Sequence, residues 1–512
     1  MRLLSVKIEE YKNLKNFEID FSEDRKMFAL IGKNGSGKSN FFEALVTIFR
    51  NVDLNESQHF YFELEYMLND LLVQISSKPS DRGTKAVMTV AGKRVSQLDQ
   101  PSYLPRRIFL YYSGQNERIE HVFSKHHERH YIEMLDGKSP ERRFILTRSE
   151  YFSFVSLAFL AFQDKKLSRF MEDRLGIQNF DSALFTFHEP DWRHNKRPLD
   201  FWGARGKVRD FLDRLYPLAL APIDSGIRIQ KTEWKGGMRQ VLYLYLPSID
   251  KLHSLAKHYK SYQEFFTVLE SGYASEMIDD ISIRVEKKST GPDLEYRNLS
   301  EGERQLITVL GMLIFTRDEE SLILLDEPET YLDPNWQWKF IDILNEAVEI
   351  HDTSQIFIAT HEPLLIGSME YEEVKVFVLD DESGKITVEP PLENPKGLGV
   401  AGILTHIFGI PSSVDPETAS LMQDQRDLQA KKILGKKLSA KEEKYWVKLD
   451  SILSERGFLW ENRDSLYEDF LRAYYKKMNA LSAAKTPISI KNREAVIQEI
   501  IDSLSIEYEE PS

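Results

Sequence analysis

The chain has 512 residues, a formal charge of −14, 42% hydrophobic residues and no cysteine. Such a length and composition support several globular cores and exclude a disordered chain. The missing cysteine excludes disulfides and Cys-ligated zinc or iron–sulfur centres and fits a reducing, cytoplasmic setting, while the acidic balance confines any nucleic-acid contact to a local patch.

The N-terminus, MRLLSVKIEE, interleaves charged and apolar residues and is not a signal peptide. LLSVKIEEY and FEIDF alternate as half-buried strands do, and MFALIG is a continuous apolar run ending at glycine. A helix over NFFEALVTIF follows at once. RIFLYYSG, Arg107 to Gly114, predicts a second buried strand. The longest apolar run, Phe152 to Phe162, is too short to span a bilayer and predicts a buried helix, so no membrane association is expected.

From 151 to 285 aromatic-rich helical patterns predominate, with one strand at QVLYLYLP; this segment is expected to be a mainly helical insertion. The hairpin-like ISIRVEKKSTGPDLEYRNLS leads into LSEGERQLITVL. Two further buried strands, SLILLDE and SQIFIATH, bracket a helix starting near Pro334, and VKVFVLDDESGKITVEP reads as strand–turn–strand. Beyond about 396 strands vanish and lysines and glutamates take helical spacing. Four segments are therefore expected: 1–150, 151–285, 286–395 and 396–512.

GKNGSGKS, Gly32 to Ser39, fits the G-x-x-x-x-G-K-[ST] phosphate loop. Gly32, Gly35 and Gly37 let successive N–H groups converge on one phosphate, with Lys33, Asn34 and Ser36 filling the intervening positions. Lys38 brings a cation to the β- and γ-phosphates, Ser39 a hydroxyl for Mg²⁺, and Asn40 continues the helix whose positive end faces the anion. The loop lies between a buried strand and a helix, as that chemistry requires.

SLILLDEPE ends an apolar strand in two acids, which are costly there without a cation. Asp326 is the expected partner of Mg²⁺, and Glu327 is placed to orient or deprotonate the attacking water. His361 ends the neighbouring strand, where it can reach a γ-phosphate. Gln115, just past RIFLYYSG, is a candidate Mg²⁺ or water ligand. Ser300-x-x-Glu303 is a capping box that starts a helix with Leu306, Leu310, Leu313 and Ile314 on one face, and Gly302 permits close approach.

These pieces, in this order, resemble the heads of ABC-type ATPases. Gly32 to Ser39 is similar to Walker A, Leu299 to Gln305 to the signature motif, and Leu322 to Glu327 to Walker B. Tyr331 to Pro334 resembles the D-loop, His361 the switch histidine and Gln115 the Q-loop glutamine. GKSN, LSEGER and DEPETYLDP resemble the RecF, SMC and Rad50 group and its OLD-like relatives; Asp333 stands where OLD-like proteins often carry histidine. The long coiled coil of SMC proteins and the Toprim domain of OLD proteins are not found in the sequence. What remains resembles stand-alone ATPase subunits of bacterial anti-phage systems such as Septu.

The resemblance implies an α/β P-loop fold: a mixed sheet flanked by helices, a helical insertion and a helical C-terminal region for partner binding or oligomerisation. It implies ATP and Mg²⁺ as cofactors, with hydrolysis to ADP and phosphate. It also implies a homodimer, or a higher oligomer, in which Ser300, Gly302 and Glu303 face the ATP of the partner chain. A separate HNH-type nuclease is the implied effector. Two rival expectations stand beside it. HVFSKHHERHY, with His126 and His130 at i, i+4, could hold the metal of a nuclease site in this chain. The lysine-rich stretch from Lys431 to Lys448 could touch DNA phosphates, as in a RecF-like repair ATPase.

Overall fold

The computed structural model describes residues 1–456, apart from 79–83, 115–116, 136–142, 149–150, 163–170, 173–175, 194–197, 233–234, 288–290, 296–297, 317–319, 348–352, 381–382, 411–413 and 434–436. The chain divides into two units, Met1–Ile410 and Pro411–Ser512. The boundary falls after the region around 396 where the strand pattern stops.

The first unit begins with strands β1 (Arg2–Tyr11), β2 (Leu14–Asp20) and β3 (Met27–Gly32) and helix α1 (Lys38–Asp53). Strands β4 (Phe62–Leu68), β5 (Leu71–Ser77), β6 (Val87–Val90) and β7 (Lys93–Arg94) follow. With β1 and β2 they form an antiparallel sheet ordered β2-β1-β4-β5-β6-β7. Asn69 and Asp70, both at positive φ, join β4 to β5, the backbone twist that a two-residue hairpin needs.

A seven-stranded sheet holds the motifs. It contains β3, β8 (Arg107–Tyr112), β9 (Phe144–Leu146), β15 (Ser321–Asp326), β16 (Gln355–Thr360), β17 (Val374–Leu379) and β18 (Ile386–Glu389). The order is β18-β17-β3-β16-β15-β8-β9, parallel throughout except for the terminal β17–β18 hairpin. That hairpin is the strand–turn–strand read from VKVFVLDDESGKITVEP.

Because side chains alternate across a strand, the central strands feed two cores. Phe28, Leu30, Leu322, Leu324, Phe357 and Ala359 join α1 and the antiparallel sheet on one face. Ala29, Ile31, Ile323, Leu325, Ile356 and Ile358 join a second core on the other. These strands read as continuous apolar runs because both of their faces are buried.

The second core includes the insertion, which departs from the mainly helical expectation. Helix α2 (Glu117–Leu135) packs with α1 and β9 in the first core, whereas α3 (Tyr151–Phe162), α4 (Gly206–Leu215), α5 (Ile249–Ala256) and α6 (Tyr262–Ala274) accompany a five-stranded antiparallel sheet in the second. Its strands are β10 (Ile177–His188), β11 (Leu220–Thr232), β12 (Lys235–Leu246), β13 (Ile278–Lys287) and β14 (Gly291–Glu295), in the order β11-β12-β10-β13-β14. Aromatic alternation such as Phe185 and Phe187 is the cause: both side chains point into the core from one face of β10.

Helix α7 (Glu301–Thr316) buries Leu306, Leu310, Leu313 and Ile314. It crosses α3 at Gly311, where a Cβ would lie 2.1 Å from Val155. Helices α8 (Pro334–Ala347) and α9 (Pro363–Ile366) complete the unit's motif-bearing half. In the second unit α10 (Pro416–Ile433) and α11 (Ala440–Glu455) pack together, burying Leu428, Leu449 and Leu453. A capping box between Ser439 and Glu442 starts α11.

Candidate nucleotide site

The parallel register sets the site. Ile31 lies beside Thr360, and Ala359 beside Asp326. Gly32, His361 and Glu327 therefore leave three adjacent strands at the same, C-terminal edge, where open α/β sheets hold ligands.

At this edge α1 begins on Gly37, whose φ of 93° no β-carbon favours, and no side chain caps the helix. Its first amides face the loop Gly32–Gly37. Lys38 is only 6% exposed. Its Nζ donates to the carbonyls of Gly32 at 2.7 Å and Lys33 at 3.3 Å, which curls the loop around the ammonium. Burial lowers the lysine's pKa, while Asp326, Glu327 and Glu329 act in the opposite direction. The Ser36 hydroxyl is buried without a hydrogen-bond partner among the described residues. Asn40 donates to the Asn13 side chain.

Asp326 is 2% exposed at the end of β15. Glu327 follows with φ 50°, a left-handed backbone rarely held by a non-glycine residue and typical of strained functional turns. Two bonds fix it: its amide donates to Ala359 O at 2.8 Å, and its carbonyl accepts from the Thr330 hydroxyl at 2.8 Å. Nδ1 of His361 lies 3.0 Å from Oε1 of Glu327.

Three residues that the sequence reading did not single out hold this edge together. Glu329 is buried and accepts a hydrogen bond from the Thr360 hydroxyl, which in turn accepts from the Glu362 amide at 2.9 Å. Burial pushes the Glu329 carboxyl up to about 8, against the opposing effect of Thr360. Gln305 donates to Pro328 O at 2.8 Å and accepts from the Tyr331 amide at 3.1 Å, joining α7 to the loop after Glu327. Their signal was faint: DEPE carries a third acid, and Gln305 ends the signature stretch.

At the start of α7, Ser300 and Glu303 form the predicted capping box. The Glu303 amide donates to Ser300 Oγ at 3.2 Å, and the Ser300 amide donates to Glu303 Oε2 at 2.9 Å. Burial acts to raise the Glu303 pKa, but bonds from Lys287 at 2.9 Å and from Ser300 outweigh it and hold the carboxyl below its usual range. A Cβ on Gly302 would sit 2.4 Å from Tyr331 O, so only glycine lets the helix start lie on the loop before Pro334.

Gln115 lies outside the described residues. Nε2 of His126 is 2.9 Å from Asp53, whose other oxygen is 3.1 Å from Arg143 Nε. The histidine thus ties α2 to α1. Among the described residues no group of three or more His, Asp or Glu side chains is poised to hold a metal ion, and no helix is long and apolar enough to cross a membrane.

Residues 27–367, well over half of the chain, match the family described as "AAA domain, putative AbiEii toxin, Type IV TA system". The chain belongs to this family. Its motif order and sheet are those of an ABC-type P-loop ATPase head. The chain is 19% identical over 443 residues to the "Retron Vc95 probable ATPase" of Vibrio cholerae serotype O1 biovar El Tor, covering 79% of this chain and 78% of that protein. It is 25% identical over 200 residues to the Septu protein PtuA of Bacillus mycoides (strain KBAB4), covering 37% of this chain and 28% of that protein. Among solved structures, an SMC head domain from Thermotoga maritima covers 76% of this chain and 99% of its own at 14% identity, with a TM-score of 0.33. RecF bound to ATP covers 76% of this chain and 97% of its own at 17% identity, with a TM-score of 0.31.

Proposed function

We propose that the chain is an ATP-hydrolysing sensor subunit of an anti-phage defence complex, which pairs head to head with a second copy and controls a separate nuclease. The observation that carries the ATPase reading is the shared edge of β3, β16 and β15, where Gly32, His361 and Glu327 leave adjacent strands and Lys38 feels the charge of Asp326 and Glu327. The likeness over most of both chains to a retron ATPase supports the defence setting. The bond between His126 and Asp53 weighs against a nuclease metal site on α2.

Lys38 and the uncapped start of α1 bind the triphosphate. The hydroxyl of Ser39 and the carboxylate of Asp326 are hard oxygen donors that fit Mg²⁺, which would neutralise phosphate charge there. Glu327 orients the attacking water and takes its proton, and His361 holds the Glu327 carboxylate from the next strand. Ser300, Gly302 and Glu303 complete the partner chain's site. Changes in the pair on turnover pass to the effector, with the second unit as the docking region.

Glu327→Gln is the direct test. ATP should still bind, and turnover should fall by about 10²–10⁴-fold, the usual value of a general base. Normal turnover in this variant removes Glu327 from the mechanism. Metal-dependent cutting of nucleic acid by the purified chain alone, lost on replacing His126, would overturn the separate-nuclease half.

A further inference from the structure

Beneath the first turns of α7 lies a cavity of about 520 Å³, within the range of small-molecule sites. None of its lining residues belongs to the Gly32–Ser39 loop, and Asp326, Glu327 and His361 are also absent from it. One wall is a single face of α7, on which Glu301, Arg304, Gln305 and Thr308 follow helical spacing. The end of β8, the start of α2, the segment after β9, Phe152 of α3, Tyr273 of α6 and Tyr331 supply the others.

The chemistry inside is not that of a packing defect, which is apolar and stays dry. Arg304 Nε and the Thr147 hydroxyl are both sealed from solvent without a hydrogen-bond partner among the described residues. The Arg304 side chain forms no hydrogen bond or ion pair among the described residues. A half-buried guanidinium in that state is costly unless an anion meets it. A second guanidinium, Arg148, shares the wall, 4.0 Å from Glu120, a half-exposed acid that also lines the cavity. Tyr111, Tyr112 and Tyr273 add rings. Guanidinium forks match phosphate oxygens, and tyrosine rings stack on planar bases.

We propose that this cavity is a second ligand site, which takes a nucleoside monophosphate with its phosphate on Arg304 and Arg148 and its base against the tyrosines. Through Gln305, bonded to Pro328 and Tyr331, the ligand sets how α7 lies on the loop after Glu327, and so tunes ATP turnover. The tuning rests on the ATPase reading above; the binding does not.

The test titrates each nucleoside monophosphate, and inorganic phosphate alone, into the full chain already saturated with Mg²⁺ and a non-hydrolysable ATP analogue. At least one monophosphate should fill one site per chain and bind more tightly than phosphate. Arg304→Ala and Arg148→Ala should each weaken it about tenfold or more, the value of a charge-assisted hydrogen bond. Lys38→Ala should leave this binding intact. The site is overturned if no monophosphate saturates, if both arginine variants bind as the parent does, or if Lys38→Ala abolishes binding. Should Arg304→Ala fail a thermal-melting check, Arg148→Ala and Tyr273→Ala decide. Binding that leaves ATP turnover unchanged rejects the tuning and keeps the site.

Discussion

The molecule presents two helix N-termini of opposite chemistry. At α1 the cap is a left-handed glycine, no side chain caps the helix and the first turn holds no acid. At α7 the cap is closed by Ser300 and Glu303, and the first turn carries two acids, Glu301 and Glu303. A helix start is an anion site only while its amides are unspent. The first is therefore ready for phosphate as it stands. The second has spent its Glu303 amide on the box, and in the proposed pair it would meet a partner's γ-phosphate through the Ser300 hydroxyl or on opening of the box. The sequence shows a phosphate loop before one helix and a capping box before the other, and the geometry gives each its consequence.

The largest expected effect breaks the second terminus. Ser300→Arg should leave ATP binding nearly unchanged and lower turnover by about 10²–10³-fold, as loss of a transition-state donor does. Mixed with Lys38→Ala chains it should recover part of that turnover, because one composite site per mixed pair stays whole. Steady-state rates on the mixture check this, and no recovery at any ratio would mean that each chain serves its own ATP. Lys38→Ala alone breaks the first terminus. Equilibrium nucleotide binding should weaken by about 10- to 100-fold, since the lysine makes charge-assisted bonds that alanine cannot.

A smaller effect concerns the loop between the two termini. Burial raises the Glu329 pKa to about 8. In the native state this acid keeps its proton well above the pH at which an unfolded chain releases it. Its contribution to stability is thus full at acid pH and is lost as pH rises through about 8. Glu329→Gln keeps the shape and removes the titration. Between about pH 6 and pH 9 the parent should lose on the order of 2 kcal/mol more stability than the variant. Parallel melting curves for the two proteins across that range would disprove it.

Much of this was legible because the responsible chemistry is local. The phosphate loop, the capping box and the apolar strands each depend on residues within ten positions of one another. The β4–β5 hairpin was legible too, from the alternation in FELEYML and the Asn69-Asp70 turn, but was not read. Of the insertion's sheet, β12 and the β13–β14 hairpin were legible from QVLYLYLP and ISIRVEKKSTGPDLEY, but β10 and β11 were not: β11 carries Pro222, and its strand character comes from pairing with β12. Nor could spacing reveal that Gln305 bonds to Pro328, or Glu329 to Thr360, since those contacts exist only once α7 and β16 flank the loop.

The smallest effect sharpens the comparison most. Glu303→Ala removes the acid that takes the Ser300 amide and pairs with Lys287. A lost cap costs about 1 kcal/mol, which shifts melting by only about 1 °C in a chain of this size. The same change frees the Ser300 amide and the Ser300 hydroxyl proton and removes a negative charge from the first turn. If the closed box holds the second terminus back, turnover at saturating ATP should rise or hold steady despite the lower melting point. If Glu303 itself positions Ser300 for the partner's phosphate, turnover should fall further than melting explains. Measured together, the two readouts tell whether the box is a latch or a support.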